Sequence, residues 1–313
     1  MSQQIFRLLE ARPDTYQHWC RQGGQFWERE QYEEALFCYE KALEHQPQDY
    51  RAWYGRGKTL EELGRYREAV ESFQQAAQAR PHDYWAWYNQ GYLALLELGD
   101  YERAAQCFQQ ALDIDPEDYW SRYRLGESWR QWGQLEEAIA CFDRLLNTCP
   151  QDFWAWYRRG DALRQAQHYA EAARSYEQAL ALRPDDYWGW MQRSAMFCEL
   201  GWWQAAIASY RQALAVEPDD EAALYAQACC YARAGDRQGV LRTLGWLLAI
   251  APEQYAARVQ TEPVFATWHD DPDWPALLSA VPVAPAATME LAEPHAHPPD
   301  PIAAPLSPPP TTE

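Results

Sequence analysis

Apolar residues recur along this chain with the spacing of amphipathic helices, and the same pattern returns in consecutive segments. In the segment from Tyr50 to Asp83, Trp53, Gly57 and Leu60 are four and three residues apart, which places them on one face of a helix. Gly64 then ends this helix. A second apolar face follows, formed by Tyr66, Ala69, Phe73 and Ala76. The segment is therefore predicted to fold as two helices joined by a short turn.

Prolines close these segments at nearly constant intervals. Eight of them are 34 residues apart, with a single interval of 35: Pro13, Pro47, Pro81, Pro116, Pro150, Pro184, Pro218 and Pro252. Because proline cannot continue a helix, this period predicts one helical hairpin repeated along the chain. Seven repeats are predicted, at 16–49, 50–83, 84–118, 119–152, 153–186, 187–220 and 221–254.

Capping and packing residues also recur at fixed positions. An aspartate precedes the first helix of six repeats and is predicted to be its N-cap: Asp49, Asp83, Asp118, Asp152, Asp186 and Asp220. Within a hairpin, small residues such as Gly57 and Ala69 are predicted to pack beside a large residue such as Phe73. The third repeat has one extra residue near Leu95 and Leu96, which predicts a local bulge or a shifted turn.

These positions together resemble the tetratricopeptide repeat, whose pattern is W-x2-L-G-x2-Y, then A-x3-F, then P. The first repeat matches it at Trp19, Gly23, Phe26, Ala35, Tyr39 and Pro47, and the fifth at Trp156, Gly160, Leu163, Ala172, Tyr176 and Pro184. Departures are Arg122 in place of the tryptophan, and Leu224, Val240 and Leu244 in the last repeat. The resemblance implies an all-α, right-handed superhelical solenoid of seven helix-turn-helix repeats.

The two ends of the chain differ from the repeats. Residues 1–15 are predicted to form an N-terminal capping helix, and residues 255–280 to form C-terminal capping helices interrupted by prolines. Residues 281–313 are rich in Pro and Ala and contain acidic residues but no Lys or Arg. Such a composition predicts a disordered tail.

Composition narrows the classes of partner. The formal net charge of −19 over 313 residues argues against nucleic acid or an anionic membrane surface as the partner. The sequence has no apolar run long enough to span a bilayer and no secretory signal, so a cytoplasmic location is expected. Cys38, Cys107 and Cys141 share one repeat position and are predicted to be buried, reduced thiols.

No arrangement of residues predicts catalysis, a cofactor or a metal site. Ala52 to Thr59 satisfies a relaxed phosphate-loop pattern, but that motif needs a loop between a strand and a helix. Here the segment is predicted to lie inside a helix, with Gly57 at a packing position. The histidines are scattered, and no catalytic triad or paired carboxylates can be assembled. The chain is therefore expected not to be an enzyme.

The family resemblance implies that the first helices line a concave, ligand-binding groove. The second position of the first helix holds Trp85, Trp120, Trp154 and Trp188; the fifth holds Tyr54, Tyr88, Tyr123 and Tyr157; the sixth holds Asn89, Arg124 and Arg158. Since Trp, Tyr and Arg dominate binding hot spots and Arg pairs with carboxylates, these residues predict a site for an extended, apolar and acidic peptide. The alternative is that the tryptophans only fill gaps between hairpins.

The resulting hypothesis is a non-catalytic protein-interaction scaffold, with a possible role as an assembly factor or co-chaperone for a larger complex. The tryptophan-rich junctions resemble those of repeat proteins from photosynthetic bacteria that act in photosystem assembly. The carboxylate clamp of heat-shock co-chaperones is matched only at Asn89 and Arg124. Two alternatives stay open: a self-associating structural array, and a regulatory or adaptor subunit of a separately encoded enzyme.

Overall fold

The computed structural model describes residues 16–279, and all regular secondary structure in this range is helical. It comprises sixteen α-helices and one 3-10 helix. The predicted all-α architecture of repeated helix pairs is therefore confirmed. The predicted capping helix at residues 1–15 and the predicted disordered tail at 281–313 lie outside the described residues.

The chain forms two compact units, of which the first ends at Cys141 and the second starts at Phe142. In the first unit, consecutive helices pack as antiparallel neighbours joined by short turns. Its helices are α1 (Tyr16–Trp27), α2 (Tyr32–His45), α3 (Tyr50–Glu62), α4 (Tyr66–Ala79), α5 (Tyr84–Leu96), α6 (Tyr101–Ile114) and α7 (Tyr119–Trp132). The boundary between the units falls within α8 (Leu135–Thr148).

The second unit continues the same helix-pair pattern and then departs from it. Its paired helices are α9 (Phe153–Gln165), α10 (Tyr169–Leu182), α11 (Tyr187–Glu199), α12 (Trp203–Val216), α13 (Glu221–Ala234) and α14 (Arg237–Ile250). Three shorter elements follow and pack on α13 and α14: α15 (Pro252–Thr261), a 3-10 helix (Pro263–Trp268) and α16 (Trp274–Ser279).

The aspartate caps are confirmed in both units. Each predicted side chain accepts a hydrogen bond from the backbone N–H three residues later, over 2.6–3.1 Å. This bond satisfies a donor that the first turn of a helix leaves without a partner. Every first helix from α3 to α13 therefore begins at a position set by the sequence.

Small residues lie against large ones inside each hairpin, as predicted. A Cβ atom added to Gly57 would meet the Phe73 ring at 2.9 Å, and one added to Gly160 would meet the Tyr176 ring at 2.8 Å. Ala69 and Phe73 are fully buried. The two helices of a hairpin can thus approach closely because these glycines have no side chain.

The extra residue of the third repeat lengthens a turn and leaves the helix regular. Both α3 and α5 contain thirteen residues, but three residues separate α3 from α4 and four separate α5 from α6. In the longer turn, Gly99 has φ +64°, and the Asp100 N–H donates to the Ala94 carbonyl oxygen at 2.8 Å. Of the two predicted outcomes, the structure shows the shifted turn.

The segment resembling a phosphate loop lies inside α3, as predicted. Thr59 Oγ1 donates to the Gly55 carbonyl oxygen at 2.7 Å, and Lys58 pairs with Glu61 at 2.8 Å. Both side chains are therefore engaged within their own helix. Among residues 16–279, no helix is long and apolar enough to cross a membrane.

Candidate partner-binding surface

Four tryptophans occupy the second position of successive first helices. Each is half-buried and packs edge-on against the aromatic residue just before it, with ring centroids 4.9–5.2 Å apart. The contact fixes the orientation of each indole while part of its surface stays accessible. Trp85 and Trp120 belong to the first unit, and Trp154 and Trp188 to the second.

The fifth-position tyrosines lie inside the hairpins. Tyr88 and Tyr157 have exposed fractions of 1% and 2%, and Tyr123 is fully buried. Each of the first two meets the large aromatic residue of the second helix edge-on: Tyr88 meets Phe108 at 5.6 Å, and Tyr157 meets Tyr176 at 5.4 Å. Burial raises the pKa of Tyr88 to about 12. These rings therefore support the helix pair from within and offer no accessible surface.

Tyr54 is half-buried and also bonds to a predicted site residue. Its hydroxyl accepts a hydrogen bond from Asn89 Nδ2 at 2.8 Å. Asn89 has an exposed fraction of 1%. The pair therefore joins α3 to α5 within the first unit.

Arg124 is buried as well, with an exposed fraction of 2%. Its guanidinium lies 5.5 Å from the centre of the Tyr92 ring, and its side chain hydrogen-bonds to Tyr88. Asn89 and Arg124 are the two residues that match the carboxylate clamp of heat-shock co-chaperones. Both are buried and contact tyrosines of the first unit.

Arg158 belongs to a network in the second unit. It pairs with Asp161 at 3.0 Å, and Asp161 also accepts a hydrogen bond from the Tyr176 hydroxyl at 2.9 Å. The Arg158 guanidinium lies 5.9 Å from the centre of the Trp154 ring. The ion pair thus holds Arg158 beside the accessible indole.

Trp154 borders a cavity of about 740 Å³ in the second unit. Its Nε1–H group is buried and has no acceptor among the described residues. Such an unsatisfied donor is costly, because burial removes the water that would otherwise bond to it. The cavity is lined by the segment from Cys149 to Trp154, which includes the start of α9, together with Leu182 and Arg183.

Arg183 is a component of this site that sequence reasoning missed. Its guanidinium lies 4.3 Å from the centre of the Phe153 ring and 5.7 Å from that of Trp154. No carboxylate pairs with Arg183 within the described part of the chain. A signal existed in the sequence, since Arg80 and Arg183 both directly precede a repeat-closing proline, and Arg80 stacks on Tyr50 at 4.6 Å.

Charged pairs three residues apart along the first helices were also missed. Glu127 pairs with Arg130 at 2.9 Å and both are buried, while the half-buried pair of Lys58 and Glu61 is 2.8 Å apart. Opposite charges three residues apart lie on one helix face, so these ion pairs could have been predicted from the sequence.

The groups around Trp154 support binding rather than a reaction. Trp154 offers an indole N–H, Arg183 offers a guanidinium, and Phe153 offers an apolar ring; none of these is a nucleophile or a general base at neutral pH. Over residues 16–279, no three His, Cys, Asp or Glu side chains are grouped so that they could hold a metal ion. The arrangement suits a ligand that brings oxygen acceptors and negative charge.

Family models of the tetratricopeptide repeat match most of the repeat region. One model matches residues 20–84, 56–119 and 199–238, a second matches 95–157, and a third matches 153–186. Together the matches cover more than half of the chain. None of the curated proteins matches the sequence.

Solved structures share the fold at low sequence identity. The C-terminal part of a tetratricopeptide-containing protein from Cytophaga hutchinsonii is 19% identical, with a TM-score of 0.61, covering 74% of this chain and 95% of that one. YrrB, described as having an unusual peptide-binding site, is 19% identical with a TM-score of 0.51, covering 60% and 97%. MamA is 20% identical with a TM-score of 0.50, covering 54% and 92%.

Proposed function

Since the chain belongs to the tetratricopeptide repeat family, we propose that it is a non-catalytic scaffold that binds an extended segment of a partner protein. The segment carries carboxylates and apolar side chains. Holding such a segment suits an assembly factor for a larger complex. The expected cytoplasmic location stays a prediction.

One observation supports this proposal above the others: Trp154 borders a cavity of about 740 Å³, and its buried Nε1–H has no acceptor among the described residues. A ligand oxygen that comes within hydrogen-bond distance of this group satisfies the donor. Arg183 lies beside the same indole without a carboxylate partner among the described residues, so it supplies positive charge to that oxygen. The formal charge of the whole chain is −19, so most of its surface repels an acidic ligand. Arg183 attracts such a ligand at this position.

The partner segment contributes apolar contacts in addition to the carboxylate. In the second unit, Trp154 and Trp188 present half-buried rings in successive repeats. Two flat rings one repeat apart suit a segment whose apolar side chains are spaced along an extended backbone. In the first unit, Trp85 and Trp120 present an equivalent pair of rings. Trp is also enriched among residues that dominate binding energy.

The similarity to YrrB is a similarity of fold alone, and no residue of its peptide-binding site is carried over. It supports the proposal only by showing that a peptide-binding site occurs in this architecture.

The proposal is tested with two twelve-residue peptides in which Leu and Phe alternate with either Glu or Gln. Calorimetry on the full chain is expected to show binding of the Glu peptide. Arg183→Gln should weaken that binding about tenfold or more, because a hydrogen bond to a charged group contributes about 1.5–3 kcal/mol. Trp154→Phe, which removes the N–H donor and keeps an aromatic ring, should weaken it several-fold.

Arg80→Gln is the matched control, because Arg80 occupies the same repeat position in the first unit and stacks on Tyr50. It should leave the affinity unchanged. Equal binding of the Glu and Gln peptides, or equal weakening by Arg80→Gln and Arg183→Gln, would contradict the proposal. Light scattering during the titration detects self-association, which would instead favour the structural-array alternative.

A further inference from the structure

In three repeats, an arginine of the first helix makes the same three contacts, on a different side of that helix from Trp85 and its equivalents. We term this arrangement the arginine clip. In each clip the guanidinium lies 5.7–5.9 Å from the centre of the tryptophan ring three residues earlier. It donates to a serine hydroxyl of the following helix over 2.7–2.9 Å and pairs with an acid of the preceding helix over 2.6–3.3 Å. The clips are Glu40–Arg56–Ser72, Asp143–Arg159–Ser175 and Glu177–Arg193–Ser209.

The third repeat replaces all three members of the clip. Gln74, Gln90 and Cys107 stand at the positions of Glu40, Arg56 and Ser72. The tryptophan is retained: the Trp87 Nε1–H donates to the Pro81 carbonyl oxygen at 3.0 Å, as Trp53 does to Pro47 at 2.8 Å. The Trp87 indole is therefore held as in the clips, but no arginine of the same repeat stacks on it.

A cavity of about 600 Å³ lies at the place of the missing arginine. Gln74, Trp87, Gln90 and Cys107 line it, together with Trp129 from α7 and Arg103, whose guanidinium pairs with Asp100 at 3.5 Å. Gln90 has an exposed fraction of 4%, and its Oε1 has no hydrogen-bond donor among the described residues. The cavity thus combines an aromatic wall with a buried acceptor that lacks a partner.

This cavity is separate from the tryptophan positions described above. Trp85 and Trp87 are two residues apart on α5, which is a rotation of about 200° around the helix. All residues that line the cavity belong to the first unit, whereas Trp154 and Arg183 belong to the second.

We propose that this cavity binds the guanidinium group of an arginine side chain supplied by a partner protein. The three clips of the same molecule show how a guanidinium is held against the equivalent tryptophan. The buried Gln90 Oε1 accepts one of its N–H groups, and the Trp87 ring provides the cation–π contact. The formal charge of −19 favours a cationic ligand, and the cation that lines the cavity, Arg103, is already paired with Asp100.

A planar guanidinium is preferred to an ammonium ion because it stacks on the indole and donates in the plane of the stack at the same time. Citrulline has the same shape but no charge. Three acetylated and amidated tripeptides, with Arg, Lys or citrulline at the centre, therefore separate shape from charge. Titration of the full chain, followed by tryptophan fluorescence and calorimetry, is expected to show about tenfold tighter binding of the Arg peptide than of the other two.

A variant that fills the cavity gives the sharper test. Gln74→Glu, Gln90→Arg and Cys107→Ser together rebuild the clip that the molecule already contains three times, so the variant should melt at no lower temperature and lose binding of the Arg peptide. Cys107→Ser alone leaves the cavity open and should retain it. Gln90→Leu is a second variant, since Leu125 already stands beside Cys141 at the same positions of the fourth repeat; it removes the acceptor and should abolish binding. Equal affinity for the three peptides, or full binding by either cavity variant, would overturn the proposal.

Discussion

The hydroxyl of Tyr84 lies 2.8 Å from Asp118 Oδ2, and this hydrogen bond joins the start of α5 to the residue that precedes α7. Asp118 is also the N-cap of α7, where it accepts from the Ser121 N–H. Burial, and after it the nearby Asp83 carboxylate, raises the pKa of Tyr50, and burial and Asp220 do the same to the pKa of Tyr187. An aspartate that caps one first helix thus lies near the tyrosine that begins the first helix before it, whereas Phe153, the equivalent residue before Asp186, has no hydroxyl to donate.

Tyr84→Phe removes this bond and keeps the ring. The carboxylate then loses a donor in a partly buried position, so the free energy of unfolding should fall by about 1–2 kcal/mol. Urea denaturation followed by circular dichroism measures the change. Tyr66→Phe is the control, because the Tyr66 hydroxyl has no hydrogen-bond partner in the described part of the chain. An equal effect of both variants would show that the hydroxyl of Tyr84 contributes nothing specific.

Glycine positions in the first helices should respond to alanine with opposite signs. Gly57→Ala places a Cβ 2.9 Å from the Phe73 ring, and such overpacking should cost about 1–3 kcal/mol. Gly24→Ala meets only the Tyr39 hydroxyl, at 3.9 Å, and should stabilise α1 by up to about 1 kcal/mol through helix propensity. Thermal melts of the two variants report the signs. If both variants melt lower than the wild type, the close helix approach is not what requires glycine at position 57.

Gln167 occupies a backbone conformation that favours glycine. Its φ is +62°; the equivalent residues of five other repeats are Gly64, Gly99, Gly133, Gly201 and Gly235, and that of the first repeat is Glu30 at +60°. Gln167→Gly relieves the contact between Cβ and the backbone, so it should stabilise the second unit by about 0.5–1 kcal/mol. The opposite change, Gly201→Ala, should destabilise the same unit by a similar amount. Denaturation midpoints that move in the same direction for the two variants would contradict this explanation.

The sequence was sufficient to predict the helix pairs, the caps and the close helix approaches. Each of these depends on local chemistry at a fixed repeat position. Asp83 caps α5 because its carboxylate reaches the N–H of Ala86. Gly57 faces Phe73, and Gly160 faces Tyr176 at the same spacing in another repeat. The length of the turn before α6 likewise follows from one added residue. Such features repeat, so several copies support each prediction.

The accessibility of individual aromatic residues was not predictable in this way. A tyrosine at the fifth position is amphipathic and suits either a groove wall or a hairpin core, and burial of Tyr88 against Phe108 depends on the helix crossing. The Trp154 site depends on Arg183, which lies outside the helices that the family pattern describes. The sulfur atoms of Cys198 and Cys230 lie 3.3 Å apart and join two repeats, and no spacing along the chain indicates this contact.

The half-buried thiol of Cys198 should ionise more readily than the buried thiols of Cys107 and Cys38. Its Sγ lies 3.3 Å from the Sγ of Cys230, and the hydrogen bond from Cys230 lowers the pKa of Cys198 below the ordinary 9.0. Burial raises the pKa of Cys107 and of Cys38 to about 12. Because the thiolate is the reactive form, iodoacetamide at pH 8 should modify Cys198 well before Cys107 or Cys38.

The Cys230→Ala variant isolates the cause of this difference. Without the sulfur donor, the pKa of Cys198 should rise, and the midpoint of its rate of alkylation against pH should move upward. Mass spectrometry of peptides from timed reactions measures each cysteine separately, and the exposed Cys149 serves as an internal control whose rate should not change. An unchanged midpoint for Cys198 in the variant would mean that other neighbours set its pKa, of which the Tyr210 hydroxyl is the first to test, by Tyr210→Phe, and the charge of Arg233 the second, by Arg233→Gln.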